Sequence, residues 1–452
     1  MSDPRGETTL AGVGKFFVPL ALSGMMMFAG QPIIHAGLAR LESPELVLAA
    51  YGVAFYVAVL LEAPIIMLLP AANALVCDER AYRLTRNCMA AMNLVLTVIT
   101  AAVAMWTPAY NLVFISLLRF PEAVAYAAQP AMKVLIFWPA LIGLRRFYQG
   151  ILIRYGRTAV VGWGTAGRLV AMIASVIMGV ATFPGYGVLV GGVALAVGVL
   201  IEALIVVFAA RWLLLGGVLE EDCRDAPAAS RTVSAFARFY FPLALTMGLR
   251  FTARPLMLSG MARSNLAVLS LAAFPVALGT MELLAGHLHM LQQVGVALAR
   301  DLASLKVVQR FSYMIGGCFS LLLVMVAFTP IATLYHERVI GITGEVLATA
   351  NLSLKILVAM PILTALQALY QGLLIRRERT VAINIAAFAN LVLLVSTVHI
   401  LARLTPIPGY IIGSIALPAV LLCEAGVLWW CSRSMLGEYA AVDSQAETTG
   451  SD

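Results

Sequence analysis

The chain has 452 residues, of which 62% are hydrophobic and only 12% are charged, and its mean hydropathy is +0.93. A water-soluble domain usually has about 25% charged residues, so this composition excludes a soluble globular protein and indicates an integral membrane protein. The net charge of +7 comes largely from basic residues between apolar segments, which indicates membrane orientation, and no nucleic-acid partner is expected.

Twelve apolar stretches follow one another along the chain, each long enough to cross a hydrocarbon core of about 30 Å as a helix. They cover residues 14–38, 46–74, 87–106, 127–150, 159–182, 186–212, 236–261, 264–295, 310–334, 346–372, 381–402 and 408–432. The alternating pattern of outer-membrane barrels is absent, so helices are the remaining way to span the bilayer. The sequence therefore predicts an all-α integral membrane protein with twelve transmembrane helices.

Other classes of protein find no support in the motifs. The first apolar stretch is too long for a signal-peptide core and no cleavage site follows it, so we expect it to stay in the mature protein. The six cysteines form no CxxC pair and no metal-binding spacing, so neither a metal nor a cofactor is predicted. Walker A, HExxH and GxSxG motifs are absent, and an enzyme is not expected.

Positive charges are unevenly distributed between the two sides of the membrane. Twelve spans place both termini on one side, and by segment count five Lys and Arg residues lie opposite: Arg40, Arg119, Arg263, Arg338 and Arg403. Twenty lie on the side of the termini, including the pairs Arg145/Arg146 and Arg376/Arg377. Basic residues concentrate in the cytoplasm, so we expect both termini to be cytoplasmic and the protein to lie in the inner (plasma) membrane.

The chain contains an internal repeat. FFVPLALSG at 16–24 matches FYFPLALTMG at 239–248, with Pro19 opposite Pro242 at a shift of 223, and GLAR at 37–40 matches GMAR at 260–263. Further on, YQGILIRYGRT at 148–158 matches YQGLLIRRERT at 370–380 at a shift of 222. One small gap therefore aligns most of the first half with most of the second.

Six helices per repeat give both halves the same orientation, so we expect two bundles related by a pseudo-two-fold axis along the membrane normal. The predicted units are an N-terminal bundle at 14–212, a cytoplasmic linker at 213–235, a C-terminal bundle at 236–433 and a disordered cytoplasmic tail at 434–452. Gly150 and Gly372 of the YQG boxes are expected to allow close helix approach or local unwinding. The protein is expected to be a monomer.

The remaining five of the thirty Lys and Arg residues are assigned to the interior of the spans: Lys133, Arg168, Arg250, Arg254 and Lys355. A charge at mid-membrane depth costs roughly 2.5–3.5 kcal/mol on insertion scales. Arg250 and Arg254 lie four residues apart in LRFTARP and so share one helix face. The first repeat has Met27 and Gln31 at the matching positions, so the arginines belong to the second half alone.

Two six-helix halves with a proline-containing first helix and a QG box resemble the MATE-like multidrug/oligosaccharidyl-lipid/polysaccharide (MOP) flippase superfamily. FVPLALSG, GLARLESPELVLAAYGVAF, YFPLAL and LRFTARPLMLSGMAR are similar to the progressive ankylosis protein branch, whose seventh helix carries Arg-x-x-x-Arg-Pro, matched by Arg250, Arg254 and Pro255. The resemblance implies the MATE-like fold and export of small polyanions such as pyrophosphate, ATP or citrate.

Two interpretations of the arginine pair stay open. In the first, Arg250 and Arg254 bind phosphate or carboxylate oxygens of a substrate, for which the planar guanidinium is suited. In the second, they form structural ion pairs with Glu62 and Glu282. Gln31, Lys133 and Lys355 are further candidates for substrate binding, although both lysines could instead extend to the membrane interface.

Candidates for coupling transport to protons or sodium are Glu62, Glu282 and His287, because buried ionisable groups in membrane helices are often functional. Pro19, Pro32, Pro242 and Pro255 are candidate hinges. The expected function is alternating-access transport of a small polyanion through a cationic cavity. The alternatives are a flippase for a lipid-linked saccharide and a multidrug exporter, the latter disfavoured for cationic drugs by two central arginines.

Overall fold

The computed structural model describes residues 9–219, 231–299, 301–377 and 379–449, and these residues are almost entirely helical. Twelve long helices follow in chain order. They are α1 (Leu10–Leu38), α2 (Pro44–Leu75), α3 (Glu79–Met105), α4 (Glu122–Arg154), α5 (Thr158–Thr182), α6 (Gly187–Leu215), α7 (Val233–Met261), α8 (Ala267–Leu298), α9 (Leu302–Phe328), α10 (Gly344–Arg376), α11 (Thr380–Leu404) and α12 (Gly409–Thr449). The predicted all-α class is confirmed.

Eleven of these helices are long and apolar enough to cross a membrane. The other is α7, whose mean hydropathy is lowered by Arg250 and Arg254 in its middle. Because α7 corresponds in the repeat to α1, which is one of the eleven, we assign it as a span as well. This gives twelve spans, as the sequence predicted.

Side-chain caps fix where several helices begin. Asp78 accepts a hydrogen bond from the backbone N–H of Ala81 at 2.7 Å, and Asp301 accepts one from Ser304 at 2.7 Å. Such caps satisfy the free N–H groups of a first turn. Helices α3 and α9 therefore start eight residues before the predicted apolar stretches, because hydropathy does not register their polar first turns.

Local interruptions recur at the same places in both halves. A short 3₁₀ turn at Ala63–Ile65 interrupts α2, and one at Gly286–Met290 interrupts α8. Similar turns at Leu135–Phe137 and Leu357–Ala359 interrupt α4 and α10. A π-helical segment, Leu112–Leu117, precedes α4 and its counterpart, Tyr335–Ile340, precedes α10.

These paired segments locate the gap in the repeat. The π-helical segments Leu112–Leu117 and Tyr335–Ile340 are offset by 223, whereas the 3₁₀ turns of α4 and α10 are offset by 222. Residues 118–121 join the π segment to α4, and residues 341–343 join its counterpart to α10. The single-residue deletion therefore lies in this connection.

The two halves meet through contacts that obey a pseudo-two-fold axis. The ring of Phe17 in α1 lies 6.1 Å from that of His287 in α8, and the Tyr240 hydroxyl in α7 donates to the Pro64 carbonyl in α2 at 2.7 Å. Phe17 and Tyr240 are repeat equivalents, and so are Pro64 and His287. A reciprocal contact of this kind is the signature of a two-fold interface. Because each half also has six spans, the two bundles have the same orientation and are parallel repeats, as predicted.

The glycines of the YQG boxes allow backbones to approach closely. A Cβ at Gly150 would lie 2.4 Å from the carbonyl oxygen of Leu69, and one at Gly372 would lie 2.4 Å from that of Gln292. The prediction of close helix approach is confirmed in both halves. It joins α4 to α2 and α10 to α8.

The structure differs from several expectations. Arg145 and Arg146 were counted with the basic residues on the side of the termini, but they lie well inside α4, and Arg145 is buried there, so these two residues leave the orientation count. Residues 434–449, expected to be disordered, continue α12 as a helix, since no proline and only one glycine interrupt this stretch. In the expected linker, residues 220–230 lie outside the described residues, as do residues 450–452 of the tail.

The four candidate hinge prolines behave differently. Helix α1 turns at Ala29, three residues before Pro32, and contains Pro19 without interruption. Helix α7 runs unbroken through both Pro242 and Pro255. Of the four prolines, Pro32 is therefore the one that lies next to an interruption of its helix.

Candidate anion-binding cavity in the second half

A cavity of about 190 Å³ lies inside the second bundle, between α7, α8, α10, α11 and α12. Apolar side chains form part of its wall, and a group of polar residues forms the rest. The polar residues are Arg250, Arg254, Glu282, His289, Thr364, Gln367, Asn390 and Glu424. Five helices thus direct charged and hydrogen-bonding groups to one small volume.

The two arginines of LRFTARP face this cavity together, as their spacing predicted. Arg254 Nη2 lies 3.3 Å from Glu282 Oε1, and both side chains are about one-quarter exposed. Arg250 forms no hydrogen bond or ion pair with any residue that the structure describes, and its Nε atom is buried. The interpretation of the arginines as partners in structural ion pairs thus fits Arg254, which pairs with Glu282. Arg250 forms no such pair with a described residue and remains available to an anion.

The carboxylate of Glu424 forms another part of the cavity wall. Asn390 Nδ2 donates to Glu424 Oε2 at 2.6 Å, and Gln371 Nε2 donates to Oε1 at 3.3 Å. Both partners are neutral amides, so the hydrogen bonds orient the carboxylate without compensating its charge. Two guanidiniums and two carboxylates line the cavity, so it contains charges of both signs. In this respect it differs from the cationic cavity that the sequence predicted.

The repeat-equivalent carboxylate of the first half has a different environment. Glu202 is 2% exposed, and its Oε2 lies 2.6 Å from Arg145 Nη1 and 3.8 Å from Arg168 Nε. The equivalents of those arginines are Gln367 and Asn390. The first half therefore neutralises its carboxylate internally, whereas the second half has neutral residues at those two positions and has Arg250 and Arg254 on α7 instead.

Three predicted binding residues lie elsewhere. Gln31 accepts a hydrogen bond from the Tyr51 hydroxyl at 3.1 Å and lines a separate, smaller cavity between the halves. Lys133 is exposed on α4, and Lys355 is exposed on α10 with its Nζ 5.7 Å from the centroid of the Phe328 ring. Neither lysine lines the cavity that contains Arg250.

The predicted coupling residues also separate. Glu282 lines the cavity, but Glu62 is buried in α2, and its Oε2 has no hydrogen-bond partner among the described residues. His287 is buried beneath α1, with its ring 4.4 Å from that of Phe319, and does not line the cavity. His289, two residues further on, does.

His289, Thr364, Gln367 and Asn390 were not predicted as site residues. Nothing in a single sequence marks an isolated neutral polar residue in an apolar helix as part of a cavity. The repeat offered one signal, because aligning Arg168 with Asn390 and Glu202 with Glu424 shows that the polar cluster of one half has a counterpart in the other.

The model of the progressive ankylosis protein (ANKH) family matches residues 1–265, which is more than half of the chain. The chain belongs to the progressive ankylosis protein family. The residues that match the family model include the first bundle and the whole of α7, with Arg250 and Arg254. No curated protein matches the sequence.

Solved structures share the fold over almost the whole chain. An inward-facing multidrug resistance MATE transporter of the MOP superfamily has a TM-score of 0.72 at 16% identity, covering 93% of this chain and 96% of its own. An outward-facing one has a TM-score of 0.65 at 16% identity, covering 97% and 99%. The lipid II flippase MurJ, in an inward closed conformation, has a TM-score of 0.64 at 12% identity, covering 94% and 87%. The chain therefore shares the fold of these three structures.

Proposed function

We propose that this protein is an alternating-access secondary transporter that binds a small polyanion, such as pyrophosphate or citrate, in the cavity of its second bundle. The observation that carries the proposal is Arg250, a half-buried arginine that lines the cavity next to a second arginine and whose buried Nε has no hydrogen-bond partner among the described residues. Charges withdrawn from water are normally paired, so a half-buried guanidinium without an ion pair among these residues favours an anionic ligand.

Cavity size favours a small anion over the alternatives. The volume of about 190 Å³ lies below the range of about 300–1,000 Å³ that is usual for pockets of drug-sized ligands, and a lipid-linked saccharide is larger still. A small anion such as pyrophosphate or citrate is therefore the better match, and ATP would enter through its phosphates alone.

The neighbouring charges suggest how binding and coupling are arranged. Arg250 provides the permanent site, and Arg254 can exchange Glu282 for an anion because the pair is held by one contact of 3.3 Å. Of the predicted coupling residues, Glu282 is the one at the cavity, so we assign coupling to it ahead of Glu62 and His287. The protein acts in the plasma membrane with cytoplasmic termini.

The test is transport of labelled pyrophosphate and citrate by the purified protein in proteoliposomes. Replacing Arg250 by Gln removes the guanidinium while keeping a polar side chain. A charged hydrogen bond contributes about 1.5–3 kcal/mol, so we expect transport at low anion concentration to fall roughly tenfold to a hundredfold. Arg250→Lys should recover part of it, because an ammonium keeps the charge but not the planar fork.

Arg238→Gln is the matched control, since Arg238 is an exposed arginine of the same helix outside the cavity. It should transport as the unmodified protein does. Equal transport by Arg250→Gln and Arg238→Gln would contradict the assignment. Movement of a lipid-linked saccharide between leaflets, without transport of either small anion, would favour the flippase alternative.

A further inference from the structure

A second, much smaller cavity lies between the two bundles. It has a volume of about 10 Å³ and is bounded by α1 and α2 of the first half and by α8 of the second. Its polar lining comes from Gln31, His35, Tyr56 and Glu282. About 10–15 Å³ is the space that one buried water requires, and such a water needs two to four polar partners.

His35 is the unsatisfied group at this cavity. Its side chain is 4% exposed, and its Nδ1 has no hydrogen-bond partner among the residues that the structure describes. The Tyr51 ring packs edge-on against it at 6.0 Å, while the Tyr51 hydroxyl is used by Gln31. A buried imidazole nitrogen without a protein partner at a water-sized cavity points to a bound water.

Glu282 belongs to both cavities. It lines the small cavity with His35, and its Oε1 faces Arg254 at the anion cavity. One carboxylate therefore joins the interface between the halves to the candidate substrate site. Its other charged and titratable neighbours are Tyr56 on α2, Arg250 on α7, His289 on α8 and Glu424 on α12.

We propose that a single buried water, bound between His35 and Glu282, transfers a proton from the imidazolium of the first half to the carboxylate of the second. The Nδ1–H bond of His35 breaks as the water accepts that proton. The water gives one of its own protons to Glu282, which leaves a neutral imidazole and a neutral carboxylic acid.

Protonation of Glu282 has a consequence at the anion cavity. A neutral carboxylic acid no longer forms an ion pair with Arg254, so the guanidinium becomes available to an anion next to Arg250. Proton binding and anion binding then favour each other, as linkage requires. This coupling rests on the proposed transport function, but the proton site itself does not.

Gly279 offers a way to remove the water without removing any polar group. A Cβ at this position would lie 3.6 Å from Nδ1 and Cε1 of His35 and 4.0 Å from Cβ of Gln31. These are ordinary van der Waals distances, so alanine fits without a clash. Its methyl group would take the space of a water hydrogen-bonded to Nδ1, which would lie about 2.9 Å from that atom.

The experiment is a pH-jump infrared measurement on purified protein without any anionic substrate. A carboxylic acid C=O band that disappears in Glu282→Gln is assigned to protonated Glu282. Positioned proton transfer typically accelerates a reaction about 10²–10⁴-fold, so we expect the band to appear at least roughly tenfold more slowly in Gly279→Ala and in His35→Gln.

Gly317→Ala is the matched control, because it makes the same change in a spanning helix where a Cβ meets nothing within 4 Å. It should leave the rate unchanged. The proposal is overturned if no Glu282 band exists, or if Gly279→Ala and His35→Gln show the unmodified rate with unchanged melting temperatures. If the band behaves as expected but pyrophosphate and citrate are not transported, the proton site stands and the proposed substrate class fails.

Discussion

At the scale of single residues, the two halves differ in how they hold the same buried carboxylate. Glu202 has Arg145 and Arg168 beside it, whereas Glu424 is held by the amides of Gln371 and Asn390. Since buried carboxylates are costly without compensation, the first-half cluster serves to stabilise its bundle. The second-half carboxylate forms no ion pair with a described residue, and it interacts electrostatically with Arg250 in the same cavity.

This difference predicts unequal costs for equivalent truncations. Arg145→Ala removes the 2.6 Å partner of a nearly buried carboxylate and should lower the free energy of unfolding by roughly 3–5 kcal/mol. Gln367→Ala, at the equivalent position, should cost about 1 kcal/mol or less, because Gln367 forms no hydrogen bond with any described residue. Denaturation of both variants in the same detergent measures the difference, and equal losses would refute it.

At the scale of elements, the YQG box sets how closely α4 lies to α2 and α10 to α8. The tight contact is made to a backbone carbonyl in each half, from Leu69 and from Gln292. A backbone atom cannot rotate away as a flexible side chain can. The glycine of the box is therefore required by packing.

Gly150→Ala and Gly372→Ala should each lower the melting temperature substantially, with an overpacking cost of about 1–3 kcal/mol or more. Gly162→Ala is the control, since a Cβ there meets nothing within 4 Å, and it should be neutral or slightly stabilising because alanine favours helix. Differential scanning fluorimetry of the three variants is sufficient. A melting temperature unchanged at Gly150 or Gly372 would argue against this packing role.

At the scale of the whole molecule, two arginines hold the halves together on the side opposite the termini. Arg40 follows α1 and donates to the carbonyls of Arg338, Val339 and Ile340 at 3.0–3.1 Å. Arg263, its repeat equivalent, donates to the Leu117 carbonyl at 3.4 Å. In both contacts the acceptor carbonyls lie at the end of the π-helical segment of the opposite half. Carbonyls at the end of a helix lack partners within the helix and favour a cation.

Removing these contacts should favour separation of the halves on that side. Because Arg40 makes three inter-half hydrogen bonds and Arg263 makes one, Arg40→Gln should have the larger effect, by roughly 1–2 kcal/mol. Distances between spin labels on the exposed residues Val339 and Glu42 would report the open population in each variant. An unchanged distance distribution in Arg40→Gln would show that other contacts keep this side closed.

Sequence alone was sufficient for the class, the number of spans, the parallel repeat and the family. Composition and apolar length are local properties, and the repeat is visible because both halves retain Pro19/Pro242, GLAR/GMAR and the YQG boxes at a nearly constant shift. It also placed Arg250 and Arg254 on one face, since that depends only on helix geometry.

The tertiary structure decided which partners those side chains have. Only packing of five helices brings Glu282, Glu424 and Asn390 to Arg250 and Arg254, while directing Lys133 and Lys355 to exposed positions. Arg145 was counted with the charges outside the membrane because a linear sequence does not show which helix face a side chain occupies, and its partner Glu202 lies 57 residues away. Side-chain pairing across helices depends on rotation and depth within the bundle, which a linear sequence does not encode locally.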